Sequence, residues 1–520
     1  MPRLTRNITY GDELNQKLER GVEAVYEVAK AAYGPGAGNA LLEINYGYPQ
    51  ISRDGVNNVR KVYLDDPVEN MAARTVVLAS EASNRKVGDG TTAAVILSRN
   101  LYKEANKLLG AGHNRMEISK IIQTTADDVV LQLDKMKKDV TPELLRNVAA
   151  ISAGDEAIGG MIADAIETVG HDGGITVEGF DGLGVFSDQV QGFYYRKGFT
   201  HEQLVNNPSS RESRVADADI VITDKVLKTV ADIAPILDTI IKSAGRGAEI
   251  VIIGAVEDEA LALLAENMAR GNVRPTLVDV PVHGALRSLF LGDIATITGG
   301  TVLPMGANGS SFTLEMLGSA DKVIVNAYST SIIGGHGAPE DLDTLVHDLK
   351  EQLEEAESQI DIDIIRGRLS RLTGKIVNIH VGGATPVERD EVKLRVDDAV
   401  CAVQAALKGG VVPGGGIALA RVDAGVLSDA FKQPFVTLVQ NAGYNTEKAL
   451  FKVLEEKDAW KGFDLREKSF NYNVKNLTEV GVTDPTLVIK EVVINASSVV
   501  AKLITTSVSL TFADREMKND

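Results

Sequence analysis

A chain of 520 residues, 44% apolar and 24% charged, has the material for large buried cores, and its length predicts two to four domains. With 72 acidic against 54 basic residues its formal net charge is −18, which opposes recognition of a phosphate backbone, so nucleic acid is not an expected partner. The single cysteine, Cys401, excludes an internal disulfide and a cysteine-rich zinc site; with no secretory apolar core in MPRLTRNITYGDELNQ and no apolar run near ~18 residues, the expectation is a soluble cytoplasmic protein without a membrane span.

Residues 11–33 read as the first helix, because Leu14, Leu18, Val22, Val25, Val28 and Ala32 recur at spacings of three and four. The stop signal is Tyr33-Gly34-Pro35-Gly36. A short extended stretch over Ala40 to Glu43 follows, and another over Gln50 to Arg53 runs into the turn pair Asp54-Gly55. Helical patterns then cover Glu69 to Lys86 and Thr91 to Leu109, separated by Gly88-Asp89-Gly90. From residue 175 the pattern changes to the β-rich runs Ile175 to Phe180, Ala218 to Asp224 and Ala248 to Gly254, with helical stretches over Val230 to Ala244 and Asp258 to Ala269. That alternation predicts an α/β domain. Residues 342–372 form a helical pair with an acidic, solvated back; an extended run follows Gly374, and helix is expected from there to the end, with FADREMKND frayed. The order helical, α/β, helical predicts an insertion into a discontinuous helical domain.

The 49 glycines are only slightly in excess, but they cluster at 34–38, 88–90 and 409–416. In Val87-Gly88-Asp89-Gly90-Thr91-Thr92 the glycines allow positive φ, the threonines open a helix whose dipole favours phosphate, and Asp89 can carry a carboxylate to a phosphate-bridging Mg2+. The same hexapeptide also fits an ordinary loop with a threonine N-cap, and alone it does not choose between the two. Gly34-Pro35-Gly36 and Gly414-Gly415-Gly416 are candidate further backbone walls, although each alone reads first as just a turn. Neither a Walker loop nor a G-x-G-x-x-G after a strand is present. Asp54 lies in a turn and Asp398 on an amphipathic helix, Val392 to Leu407; Cys401 reads as a small residue on an apolar face, and the seven histidines are dispersed.

Taken together, YGPGAGN (33–39), SRDGV (52–56), VGDGTT (87–92), ISAGDE (151–156), DGGITVE (172–178), DIATITGGTV (293–302), RVDDA (395–399), GGVVPGGGIAL (409–419) and TDPT (483–486) resemble the group I chaperonins of the bacterial GroEL type, in matching order over nearly the whole chain. The resemblance implies a multidomain α and α/β subunit: a mostly helical equatorial ATP-binding domain over 1–136 and 409–520, a small intermediate domain over 137–191 and 375–408, and an α/β apical domain over 192–374. It implies nucleotide contacts at Tyr33, Gly34, Pro35, Gly88, Asp89, Gly90, Thr91, Thr92, Ile151, Ser152, Gly414, Gly415, Gly416, Asp464 and Asp484. Asp89 would bind Mg2+, with K+ a further candidate cation, Asp54 would organise the attacking water and Asp398 would complete hydrolysis of ATP to ADP. Gly192, Gly374 and Gly410 would act as hinges. Phe199, Leu204, Leu237 and Leu261 would meet apolar groups of non-native polypeptides.

The departures carry expectations too. Gln203, Ala234, Ala265 and Glu266 replace larger or apolar groups, so weak or absent co-chaperonin binding is expected. GPGAGN lacks the family's two basic residues and Ala32 replaces a threonine, which bears on nucleotide affinity. Val436 and Asn445 stand where the family has its inter-ring ion pair, so a sevenfold ring is expected single or weakly stacked. These features mark a divergent member, with a bacteriophage genome a candidate origin and the host cytoplasm the location in that case. The alternative activity is an ATP-binding holdase or scaffold ring without productive encapsulation.

Overall fold

The computed structural model describes residues 6–43, 50–52, 55–169, 174–207, 211–307, 309–356, 358–467 and 471–512, and these divide into two compact units, one within 1–163 and 383–520 and one within 164–382. None of the helices described is long and apolar enough to cross a membrane.

The first unit contains β1 (Arg6–Tyr10), α1 (Gly11–Ala31), β2 (Ala40–Leu42), β3 (Gln50–Ser52), α2 (Gly55–Arg60), α3 (Pro67–Val87), α4 (Thr91–Gly110), α5 (Arg115–Met136) and α6 (Pro142–Ala153); α7 (Glu156–Val169) carries the chain out of it. The periodic apolar positions of α1 bury Leu14, Leu18, Val22, Val25 and Ala29 against α3 and α4. The start of α3 is set by Asp66, whose carboxylate accepts the N–H groups of Val68 and Glu69 at 2.8 and 3.1 Å, with Pro67 in the first turn. Its end is set by Gly88 in the left-handed region.

The chain returns to this unit through α13 (Pro386–Gly409), β12 (Val411–Pro413), α14 (Ile417–Ala420), α15 (Ser428–Asn441), α16 (Thr446–Glu455), β13 (Lys461–Gly462), β14 (Lys475–Asn476), β15 (Thr483–Pro485), α17 (Thr486–Thr505) and β16 (Val508–Phe512). Helix α17 is apolar nearly all round and packs on α3, α4 and α5, which makes it the central helix of the core. Strand β16 pairs antiparallel with β1, Ile8 opposite Leu510, joining the two ends of the chain. The expectation of helix from the run after Gly374 to the end is therefore corrected: β12, β15 and β16 interrupt it, and α14 is a short helix that ends at Ala420. The expected frayed tail lies outside the described residues apart from Phe512, which is the last residue of β16.

The second unit is an eight-stranded mixed sheet in the order β4-β11-β5-β10-β9-β6-β7-β8. Its strands are β4 (Gly174–Gly179), β5 (Val185–Tyr195), β6 (Ser213–Ile222), β7 (Ala248–Ile253), β8 (Val273–Val278), β9 (Gly318–Val325), β10 (Thr330–Gly335) and β11 (Lys375–Val381); its helices are α8 (Val230–Ala244), α9 (Asp258–Ala269), α10 (Ala285–Thr298), α11 (Pro339–Glu355) and α12 (Gln359–Thr373). Strands β6, β7 and β8 are parallel, as expected where helices cross between them. Alternation along these strands sends Val221, Ile250 and Ile252 towards α8 and α9, and Ile220, Ile222, Val251 and Ile253 towards α10, α11 and α12.

Between α10 and α12 lies Asp293, fully buried, held by Arg368 through a two-nitrogen grip at 2.6 to 3.2 Å. Removing one partner strands the other charge, so Asp293→Ala is expected to destabilise this unit by about 3–5 kcal/mol. Urea unfolding monitored by a probe in this unit checks it; a midpoint within error of the parent's would show that the pair contributes nothing.

Candidate functional site

The three glycine clusters converge in the first unit. Asp89 sits between the left-handed Gly88 (φ 69) and Gly90 (φ 77), and its carboxylate accepts the Gly90 N–H at 2.6 Å. Gly90 then opens α4 with no side-chain cap, so amide groups of Thr91 and Thr92 stand at a helix N-terminus of the kind that attracts anions. A Cβ at Gly90 would lie 2.7 Å from Val492 and 2.8 Å from Val488 of α17, so this position accepts only glycine on both backbone and packing grounds.

On the opposite wall, Asp484 lies on β15 opposite Val412 of β12. Its carboxylate accepts backbone N–H groups of Gly415 and Gly416, two further left-handed glycines (φ 64 and 74) that lead into α14. The third wall is the end of α1. There Asn441 of α15 donates to the carbonyls of Lys30 and Tyr33 at 2.7 and 2.8 Å and holds the YGPG turn in place.

These walls interact electrostatically. Burial pushes the Asp89 carboxyl from 3.8 up to about 6 against the opposing Gly90 hydrogen bond. Asp484 is pushed up to about 7, first by burial and then by the Asp89 charge, while its two glycine amides pull the other way. The Tyr33 phenol is also raised, by burial and by Asp484 and Asp89. Two neighbouring carboxylates that each resist ionisation form an anionic centre that a cation would relieve.

Among the described residues no group of three or more His, Cys, Asp or Glu side chains could hold a metal ion. A hard cation here would take Asp89 or Asp484 and complete its shell with oxygens from water and phosphate, which is how Mg2+ is usually held at nucleotide sites. The donor set fits Mg2+ on that basis.

The other expected site residues fall as follows. Asp54 lies outside the described residues; its neighbour Gly55, the first residue of α2, is placed so that a Cβ there would meet the Thr92 hydroxyl at the start of α4. Asp398 is part-buried on α13, which packs on α6 and α17 and touches β15, α3 and β3. Ile151 packs at the edge of the Ile417–Phe435 core, with Ser152 beside it on α6. Asp464 is turned to Arg466, which grips it through two nitrogens at 2.8 Å. Asn441 and the valines behind Gly90 lie in no sequence motif, whereas Gly55 belongs to the Asp54-Gly55 turn pair.

In the second unit the expected apolar surface changes. Leu237 is a core side chain, 3% exposed, because the apolar stripe of α8 with Ile233, Ile236 and Ile240 faces the sheet, and Leu204, 5% exposed on the short turn Glu202–Leu204, joins the same core. Their expected exposure is thus corrected. Phe199 and Leu261 are part-buried, and Phe199 forms a backbone bridge to Val278. Glu266 is paired with Arg270 on the same helix. The exposed apolar groups of this unit include Val230, Leu286, Leu289 and Met305.

Gly192 marks the point where β5 changes partner: residues 185–191 pair with β11, and 192–195 with β10. A Cβ there would lie 2.5 Å from Ile376 and 2.7 Å from the Ile332 carbonyl. Gly374 directly precedes β11, with ordinary extended backbone. Gly410 ends α13 in the left-handed region (φ 74).

Comparison with known proteins agrees with this architecture. The model of a family described as the TCP-1/cpn60 chaperonin family matches residues 25–508. Among solved structures, the chain resembles the chaperonin gp146 from the bacteriophage EL 2 (Pseudomonas aeruginosa), crystallised in the presence of ATP-BeFx, with a TM-score of 0.67 and 18% identity over 99% of this chain and 100% of that one.

Proposed function

Since the chain belongs to the TCP-1/cpn60 chaperonin family, we propose that it is an ATP-driven chaperone that binds non-native polypeptides and promotes their folding in a ring-shaped chamber. The observation that carries this reading is the convergence of Tyr33, Asp89, Asp484 and the left-handed glycines at the N-terminus of α4. Backbone amides there suit phosphates, and the carboxylate pair suits the accompanying cation. The nucleotide would lie along Tyr33 to Pro35, Gly88 to Thr92 and Gly414 to Gly416, with Mg2+ on Asp89. Mg2+ would supply charge neutralisation for the transferring phosphoryl group. Asp54 would orient water and Asp398 would complete the catalytic set from α13. The proposed division remains equatorial over 1–136 and 409–520, intermediate over 137–191 and 375–408, and apical over 192–374.

Assembly into a ring has its own support. In the β1–β16 ribbon Ile8, Tyr10, Val508, Leu510 and Phe512 are 49–70% exposed, whereas Thr9, Ser509 and Thr511 are buried. A ribbon with its polar face inward and its apolar face outward is the inverse of a monomer's pattern and suits contact with another copy. Sevenfold symmetry and weak ring stacking are part of the proposal. Clients would meet the exposed apolar groups of the second unit, and the Glu266–Arg270 pair disfavours an apolar co-chaperonin loop on α9.

The test combines phosphate release, suppression and recovery of a denatured client, and particle images with and without ATP. The expected result is ring particles, ATP turnover and ATP-dependent recovery, with Leu510→Arg reducing the rings to smaller species. Rings that bind ATP and client but never hydrolyse or release would favour the holdase reading.

A further inference from the structure

We infer that Lys138 and Trp460 form a clasp that couples the Asp484 strand to the end of α13, making Lys138 a positioning residue for nucleotide turnover and Trp460 a reporter of nucleotide occupancy. The inference rests on the nucleotide site proposed above and concerns a contact outside it.

Helix α5 ends at Met136, and Lys137 leaves it in extended backbone (φ −63, ψ 150). Lys138 then exchanges both backbone hydrogen bonds with Val411, at 2.8 and 2.9 Å. Strand β12 is therefore sandwiched: Lys138 lies on one side of Val411, and β15 lies on the other, with Val411 opposite Pro485 and Val412 opposite Asp484. The same strand runs from Gly410, the cap of α13, to Gly414, the start of the glycine wall. Gly410 is locked to both neighbours, since its carbonyl accepts the Thr486 N–H at 3.0 Å and a Cβ on it would lie 2.5 Å from the Lys138 carbonyl. A shift of Asp484 under a bound phosphate or cation is thus transmitted through β12 to Lys138 and to α13.

Trp460, the only tryptophan, straddles the pivot at Lys137. Its indole N–H donates to the Met136 carbonyl at 3.2 Å on the helix side, and the Lys138 ammonium lies 4.0 Å from its ring centroid on the strand side. The indole is otherwise fixed: the Trp460 carbonyl accepts the Leu477 N–H at 2.8 Å, and Arg421 binds the carbonyls of Glu456 and Lys461 at 2.7 and 3.0 Å. The exposed ammonium over a buried indole is therefore the adjustable part of the contact. A cation held over an indole face favours one placement of the strand, and losing it leaves the main chain paired but its register softer.

The experiment uses the full chain with ADP or ATP and Mg2+. Nucleotide binding is measured by equilibrium dialysis, Trp460 emission by fluorescence, and turnover by phosphate release, for the parent, Lys138→Met, Lys138→Arg and Trp460→Phe. The parent's emission should change on nucleotide addition. Lys138→Met should lose that change and lower kcat about two- to five-fold, the scale of one exposed cation–π contact, with the Kd for ADP unchanged. Lys138→Arg should restore both, and Trp460→Phe, which keeps an aromatic face, should retain most of the turnover. Dialysis that shows binding while parent emission stays constant, or a Lys138→Met protein with the parent's emission change and kcat, overturns the clasp alone. Failure of the parent to bind nucleotide overturns the site reading and the clasp with it.

Discussion

Replacing Asp398 by alanine is expected to leave ATP bound and to slow its hydrolysis by about 100-fold or more, the usual scale for loss of a positioned acid–base group. The walls that bind nucleotide in our reading are Tyr33, Asp89, Asp484 and the left-handed glycines, all supplied by the α1, α3–α4 and β12–β15 connections. Asp398 belongs to a different element, α13, whose contacts run to α6, α17, β15, α3 and β3. Helix α13 touches β3, which ends at Ser52, and β15, the strand of Asp484, yet it supplies none of the glycine amides or carboxylates that line the phosphate cradle. Binding and hydrolysis should therefore separate in this variant. Single-turnover phosphate release alongside equilibrium dialysis measures both. Unchanged steady-state turnover would remove Asp398 from the catalytic set, and lost binding would place it in the cradle instead.

The second large effect is a pH dependence with opposite signs for the stability of the empty protein and for the increment that metal and nucleotide add to it. Asp89 and Asp484 titrate in the fold near 6 and near 7, both above the ordinary 3.8. A carboxyl with a raised folded pKa binds its proton more tightly in the folded state, so its stability contribution is complete below the unfolded value and is lost as pH rises through the folded one. Without metal, these two groups therefore make the first unit less stable as pH rises from about 4 to about 7. A bound divalent cation competes with those protons, so the stabilisation by Mg2+ and nucleotide should grow over the same range and flatten above it. The pair interacts, so the two steps belong to the couple rather than to either residue. Thermal unfolding with and without Mg2+–ADP from about pH 5 to about pH 8 tests this. Asp484→Asn should remove the upper step and leave the lower one in place, because burial, not the Asp484 charge, raises Asp89. A nucleotide-induced shift independent of pH in the parent would mean that neither carboxylate senses the ligand.

Much of this site was legible beforehand because each wall is a local backbone device. Gly88-Asp89-Gly90 and Gly414-Gly415-Gly416 must turn through the left-handed region wherever they sit, and the spacing of Leu14, Leu18, Val22 and Val25 makes α1 end at the YGPG turn. The less legible parts depend on long-range pairing. Strand β1 is Arg-Asn-Ile-Thr-Tyr, with no turn signal to mark it, and becomes a strand because β16 arrives beside it from the other end of the chain. Leu237 looked like a client-facing residue by position, yet it completes the apolar stripe of α8 and is buried against the sheet. Asp464 looked like a nucleotide contact, and a neighbour two residues away, Arg466, holds it.

The sequence by itself determined which segments turn, which helices are amphipathic and, through nine ordered motifs, which family the chain resembles, since all of these depend on residues near one another in the chain. Only the tertiary structure decided that Tyr33, Asp89 and Asp484 share one field, that Asn441 locks the first turn, and that Trp460 clasps Lys138. Those relations join residues hundreds of positions apart. Burial and charge coupling depend on which side chains are brought together in space, and no local spacing encodes that.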